Sequence, residues 1–115
     1  MGFSKIEVIT TMSKLTGLKS ALSKIGVSGI TVTQVIGCGV QKGTPEYEPT
    51  TNAEMELLPK QLIMIVVEDH QVSEVVELIK KDLYTGHIGD GKIFISPVSN
   101  VIRVRTGEEG LDALK

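Results

Sequence analysis

An α+β fold is what this sequence predicts, and three observations predict it. Short β-branched runs alternate with two stretches of helical period, and the order along the chain is strand, helix, strand, loop, strand, helix, strand. Apolar residues make up 41% of the 115 residues while aromatics supply only 3%, so Ile, Val, Leu and Met must build the core. At this length the chain is read as one domain, residues 1–115.

Lys5–Thr10 is short and β-branched, which suits a strand. From Lys14 the period changes: Leu15, Leu18, Leu22 and Ile25 recur at helical spacing, with Ser13 as N-cap and Gly26 as the stop. Gly29 to Val40 carries a second β-branched run that ends in Gly37-Cys38-Gly39. Residues 43–57 read as a loop, because Gly43, Pro45, Pro49, Thr50, Thr51 and Asn52 break regular structure and Glu46, Glu48, Glu54 and Glu56 keep it solvated. Leu62–Val67 is an unbroken apolar strand. A second helix follows, with Asp69 as its cap, Val72, Val75, Val76, Ile79 and Leu83 down one face, and Gly86 at its end. A last strand covers Lys92–Ile95, and extended chain continues through Val101–Val104.

With antiparallel pairing this order is the ferredoxin-like βαββαβ unit, a double split βαβ. Both helices of such a unit cover one sheet face. Leu62–Val67 is nevertheless apolar on both faces, which a solvent-facing sheet does not tolerate. The second face is therefore expected to be buried between protomers, making the chain an oligomer. A structureless loop of about fifteen residues in so small a domain tends to be functional, and its acidic, proline-bearing composition suits ordering on a partner.

Composition bounds the function. No stretch nears the roughly 20 apolar residues of a membrane span, and Met1–Lys5 lacks the apolar core of a signal peptide, which points to the cytoplasm. One cysteine, Cys38, leaves no intrachain disulfide. Net charge is −2, so any phosphate binding must be local. Two blocks supply it. Thr85-Gly86-His87-Ile88-Gly89-Asp90-Gly91-Lys92-Ile93-Phe94 offers glycines whose backbone N–H groups approach an anion closely, with a lysine for charge. Arg103-Val104-Arg105-Thr106-Gly107-Glu108 sets two arginines two apart, which on a strand would share one face. Together they read as a phosphate cradle; each alone is equally well a glycine turn or a solvated basic strand.

On these residues the chain resembles the PII nitrogen-regulatory signal proteins. Thr31–Gly43 is similar to that family's second strand and the base of its T-loop, and Leu58-Pro59-Lys60 to the loop's far end. Thr85–Phe94 is similar to its B-loop and Arg103–Glu108 to its C-terminal signature. Fourteen residues separate Gly43 from Leu58, the family's usual spacing.

The resemblance implies a homotrimer that binds ATP and ADP in the clefts between subunits. It also implies control of a target membrane transporter or metabolic enzyme through the T-loop, residues 43–57. Carried over position by position, Gly89, Asp90, Gly91 and Lys92 wrap the phosphates, and Gly37, Cys38, Gly39 and Gln41 approach from the T-loop base. Arg103 and Arg105 reach in from the neighbouring strand system, one or both across the subunit boundary, and Ile9, Thr31 and Val66 lie near adenine and ribose. A second ligand, 2-oxoglutarate, would bind with Mg-ATP at Gln41, Lys42, Lys60 and Gly89, with Gln41 completing the Mg2+ shell.

The chain also departs from the family. Ala53 stands where many members carry the tyrosine that is uridylylated, Thr51 where others carry a phosphorylated serine, and Pro49 where an apex arginine plugs an ammonium channel. Thr11-Met12 stand where a basic residue and a proline are usual, weakening one 2-oxoglutarate contact. Two functions within the family thus remain open: a regulator of nitrogen and carbon metabolism that reads 2-oxoglutarate, and an adenylate-only energy sensor. Outside it, a nucleotide hydrolase lacks a Walker sequence, and an RNA-binding sheet lacks strand aromatics other than Phe94. The expectation is a regulatory protein with no catalytic residues and no nucleic-acid partner. Cys38 is read as a structural thiol, His87 and His70 as solvated, Tyr47 as a loop contact, and Met64 as a core filler.

Overall fold

The computed structural model describes residues 2–11, 15–39, 56–84, 86 and 91–115. Four strands, β1 (Phe3–Thr10), β2 (Thr31–Gly39), β3 (Glu56–Glu68) and β4 (Lys92–Val98), alternate with α1 (Leu15–Lys24) and α2 (Val72–Leu83), and α3 (Leu111–Leu114) follows. The sheet order is β2-β3-β1-β4, with every pairing antiparallel. This is the expected ferredoxin-like α+β arrangement.

Alternation sets the two faces of the sheet. Ile6 and Val8 of β1 pair with Ile65 and Ile63 of β3, and all four are buried against Leu18 and Leu22 of α1 and Val75, Ile79 and Leu83 of α2. That layer is the hydrophobic core. The residues between them, Lys5, Glu7 and Ile9 on β1 and Leu62, Met64 and Val66 on β3, necessarily point to the other face, where the described residues place no helix across them. Met64, Leu62 and Val66 are only partly buried there.

Local signals explain the element ends. α1 stops where Gly26 adopts φ +86°. Gly26 N–H donates to the Ser23 carbonyl and Val27 N–H to that of Leu22, both at 3.1 Å, the paired bonds of a Schellman ending that also delivers Val27 to the core. Ser13, the expected N-cap, lies outside the described residues. Asp69 does not cap α2 as expected. A short 3-10 turn, Asp69–Gln71, comes first, and Gln71 Oε1 accepts the Glu68 N–H at 3.1 Å. Asp69 is used elsewhere: its Oδ1 accepts the Ser4 hydroxyl at 2.6 Å and its N–H donates to the Gly2 carbonyl at 3.0 Å.

Two strands run longer than the sequence suggested. β3 begins at Glu56, so Glu56 and Leu57 belong to a strand and not to the loop assigned to 43–57. Backbone pairing with β2, down to Gly39 opposite Glu56, overrides the local polarity. Pro59 is accommodated because the β1 ladder ends at Thr10 opposite Gln61, leaving one side of β3 without a partner among the described residues. β4 continues to Val98, with Pro97 on a sheet edge. Residues 43–55 lie outside the described part. No described helix is long and apolar enough to cross a membrane.

Residues 101–104 are not the extended strand expected from their β-branched composition. A hairpin forms instead, with Ile102 bridged to Glu109 and Val101 O accepting from Gly110 N–H at 2.9 Å. Arg103 N–H donates to Glu108 O at 2.9 Å and Gly107 N–H returns to Arg103 O at 2.8 Å. Gly107, at φ +78°, makes that tight closure possible.

Candidate functional site

The open sheet face collects most of the predicted contacts that lie among the described residues, and strand register says how they are spaced. Lys92 pairs with Ile9, Ile9 with Leu62, and Leu62 with Thr33, forming one rung across all four strands. Val35 opposite Lys60, and then Gly37 opposite Leu58, continue in one direction along the β2–β3 ribbon. In the other direction Thr31 lies opposite Met64, and Val66 is two residues further along β3. Strand spacings put the Lys60 Cα about 12 Å from that of Lys92, and Thr31 and Val66 about 16 Å from it. One protomer therefore presents Lys92, Ile9 and Lys60 as one patch, with Gly37 on its far side about 20 Å from Lys92, and Thr31 and Val66 as another.

Two glycines shape the first patch. Gly91 sits at φ +94°, and a Cβ built on it would meet the Ile9 carbonyl oxygen at 1.9 Å. Only glycine can turn there, and the turn delivers Lys92 to the rung of Ile9. Gly37 lies under the Lys60 stem, whose Cγ would be 3.1 Å from a Cβ at that position. A side chain at position 37 would press on the Lys60 stem, which would have to yield by a few tenths of an ångström. Lys92 is exposed and Lys60 partly so, and neither makes an ion pair among the described residues. Two ammonium groups without an ion pair among the described residues make this part of the face locally cationic.

Thr11 follows β1 in line with Lys60; its carbonyl accepts Gln61 Nε2 at 3.0 Å, and its side chain carries no charge. Cys38 and Gly39 are in β2 opposite Leu57 and Glu56. Gln41, Lys42, Gly89 and Asp90 lie outside the described residues, as does His87. His70 is exposed, with Nε2 at 3.2 Å from Glu68 Oε2, as a surface histidine should be.

The arginine pair differs from expectation. Because 101–110 is a hairpin, Arg103 and Arg105 do not share a strand face: Arg103 is in the stem and Arg105 in the turn. Arg105 is exposed and without an ion pair among the described residues. Arg103 is engaged with its own chain, its Nη1 at 3.2 Å from Glu108 Oε1. Thr106 Oγ1 donates to the same oxygen at 2.7 Å. Sequence reasoning missed Glu108 and Thr106 as the groups that orient Arg103. Their signal was present as opposite charge five residues apart around Gly107, but it becomes meaningful only once the chain turns back.

Val66 has a distinct setting. β2 pairing begins at Thr31 opposite Met64, so the β3 backbone at Val66 has no β2 partner. Beside it is a cavity of about 420 Å³ lined by Gly26, Val27 and Ser28, Val66 and Val67, and Leu111 and Leu114 of α3.

Comparison with known proteins agrees with this geometry. The family model described as Nitrogen regulatory protein P-II matches residues 3–108. The nitrogen regulatory protein P-II of Cyanidium caldarium is 48% identical over 112 residues, covering 97% of this chain and 99% of that protein. The solved GlnK–ATP complex of B. subtilis superposes with a TM-score of 0.83 at 41% identity, covering 98% of each chain. Arabidopsis thaliana PII bound to citrate superposes with a TM-score of 0.79 at 40% identity, covering 99% of this chain and 91% of that one. With an antiparallel βαββαβ sheet, a glycine turn that delivers Lys92 to its open face and a family match from residue 3 to residue 108, this chain belongs to the P-II family of nitrogen regulatory proteins.

Proposed function

We propose that this chain works, over residues 1–115, as a homotrimeric, non-enzymatic regulator that holds ATP or ADP in clefts between protomers. The observation that carries the reading is Gly91. Its close approach to the Ile9 carbonyl sets Lys92, without an ion pair among the described residues, on the open face, in a family with a solved GlnK–ATP complex from B. subtilis. Lys92 and Gly91, with Gly89 and Asp90, take the phosphates; Gly37, Cys38, Gly39 and Gln41 close on them from the loop base. Thr31 and Val66 take the base. Their roughly 16 Å separation from Lys92 within one protomer supports a site completed by a neighbour, as does the apolar open face. Arg103 and Arg105 join from that neighbour.

Nucleotide state is read out by the loop before β3, residues 43–55, which contacts a target transporter or enzyme. ATP and ADP must bind the loop's arrangements with different affinity, since a ligand that binds both equally shifts nothing. Mg2+ fits the donor set offered by a triphosphate and the Gln41 amide oxygen. Lys60 on the same face, with Lys42 and Gly89, suits a dicarboxylate such as 2-oxoglutarate.

A second reading has its own observation. Thr11, in line with Lys60, supplies no cation, so the dicarboxylate site would rest on Lys60 and Lys42 alone, and an adenylate-only sensor is the alternative. Titration calorimetry separates them. ATP and ADP should each bind with heat, and 2-oxoglutarate should bind only in the presence of Mg-ATP. Silence toward 2-oxoglutarate with intact ATP binding selects the alternative, and silence toward all adenylates overturns the proposal.

A further inference from the structure

At the centre of the open sheet face, β1 sets two opposite charges among apolar neighbours. Lys5 and Glu7 flank the buried Ile6 along the strand and therefore share the opposite face. Glu7 stands in a rung that runs Phe94, Glu7, Met64, Thr31 across the four strands, and Lys5 in the next, between Ser96 and Val66. Both charged side chains are already partly buried, at 37% and 29% exposed, and Lys5 Nζ is 3.6 Å from Glu7 Oε1. This is an ion pair, longer than the about 2.7–2.9 Å of a charge-assisted hydrogen bond. Among the described residues it is the one ion pair that either group makes. Lys92, one rung away on β4, does not reach the carboxylate.

Covering this face with another protein surface strips water from both groups, and a buried charge with a single long contact is unfavourable. A second copy of the chain removes that cost, because the face is self-complementary: each copy brings one ammonium and one carboxylate on adjacent rungs. A partner surface of one charge sign would satisfy one group and repel the other. We infer that Lys5 and Glu7 are the groups by which this chain selects its own copies, the Glu7 carboxylate of each protomer taking the Lys5 ammonium of its neighbour as well as its own. The inference rests on the reading of the open face as the trimer interface, and names what makes that interface exclusive. A polar pair in an otherwise apolar contact acts in this way because a mismatched neighbour leaves like charges facing each other. Selection bears on the proposed nucleotide site, whose clefts are completed by residues of the neighbour.

The test is a charge swap, Lys5→Glu with Glu7→Lys in one chain. The swapped chain keeps its composition, net charge and pair within the protomer, so it should fold and trimerise with itself. Against a wild-type neighbour it places carboxylate on carboxylate and ammonium on ammonium. Isotope-labelled wild-type chain is unfolded in urea together with unlabelled chain, refolded, and weighed by native mass spectrometry. Labelled and unlabelled wild type should mix statistically. Labelled wild type and swapped chain should sort, with mixed trimers at least about fivefold below the statistical share. As a second arm, Lys5→Glu alone should run as a monomer in light scattering, while the neutral chain Lys5→Met with Glu7→Gln remains a trimer. Statistical mixing of wild-type and swapped chains overturns the selection, as does a Lys5→Glu chain that stays trimeric. Wild-type protein that runs as a monomer overturns the trimeric reading itself, a result distinct from a wild-type trimer that admits swapped chains.

Discussion

A Cβ built on Gly91 meets the Ile9 carbonyl oxygen at 1.9 Å, and the residue holds φ +94°. Gly91→Ala therefore combines left-handed strain with a backbone clash, and is expected to cost about 2–4 kcal/mol; a urea midpoint equal to wild type would contradict this. Lys92 is one residue away, exposed and unneutralised among the described residues, and Lys92→Ala should weaken ATP binding at least tenfold by calorimetry while the oligomer persists. The sequence showed closely spaced glycines ahead of a strand, read there as an anion-approaching loop or an ordinary turn; that Gly91 must be glycine to clear the Ile9 carbonyl came from the fold. Arg103 was legible only in part. Its charge could be read, but its partners Glu108 and the carbonyls of Ala113 and Lys115 depend on a hairpin that the β-branched run Val101–Val104 concealed.

At the scale of elements, periodicity located both helices and all four strands, and missed mainly where pairing outweighs composition. Glu56 and Leu57 look like loop until β2 supplies a ladder reaching Gly39. The same ribbon explains how the loop between β2 and β3 can vary without harm to the core. Its ends are pinned by Cys38 opposite Leu57 and Gly39 opposite Glu56, and every buried hydrophobic residue among those described lies on β1, α1, β3 or α2 or at Val27. Deleting residues 46–54 should accordingly abolish capture of the target protein in a pull-down yet leave the melting temperature within about two degrees of wild type. A substantially lower melting temperature would place that loop in the stability of the fold. The displaced cap before α2 teaches the same lesson on a smaller scale. Asp69 has the composition of a cap, but Ser4 and Gly2 claim it first.

For the whole molecule, the open sheet face is where the proposed trimer would form. Leu62, Met64 and Val66 of a central strand alternate with the buried Ile63, Ile65 and Val67, and an apolar central strand with one uncovered side calls for a partner surface. Met64→Glu would place a charge in the middle of that face. It should shift the protein from trimer to monomer in light scattering, and ATP affinity should fall in parallel because the base and phosphate patches would no longer be brought together. A trimer that tolerates Met64→Glu would move the interface elsewhere.

The order of secondary structure, the apolar strand with two buried-type faces, the glycine turns and the family were determined by the amino-acid sequence itself, because they depend on local period, local backbone freedom and residue type. Which charges remain available was decided by tertiary structure. Lys92, Lys60 and Arg105 are left without acidic partners among the described residues, whereas Arg103 is drawn to Glu108 and to the end of α3. Such a difference arises from how a chain folds back on itself in space, and pairing between distant groups leaves little trace in the spacing of residues along it.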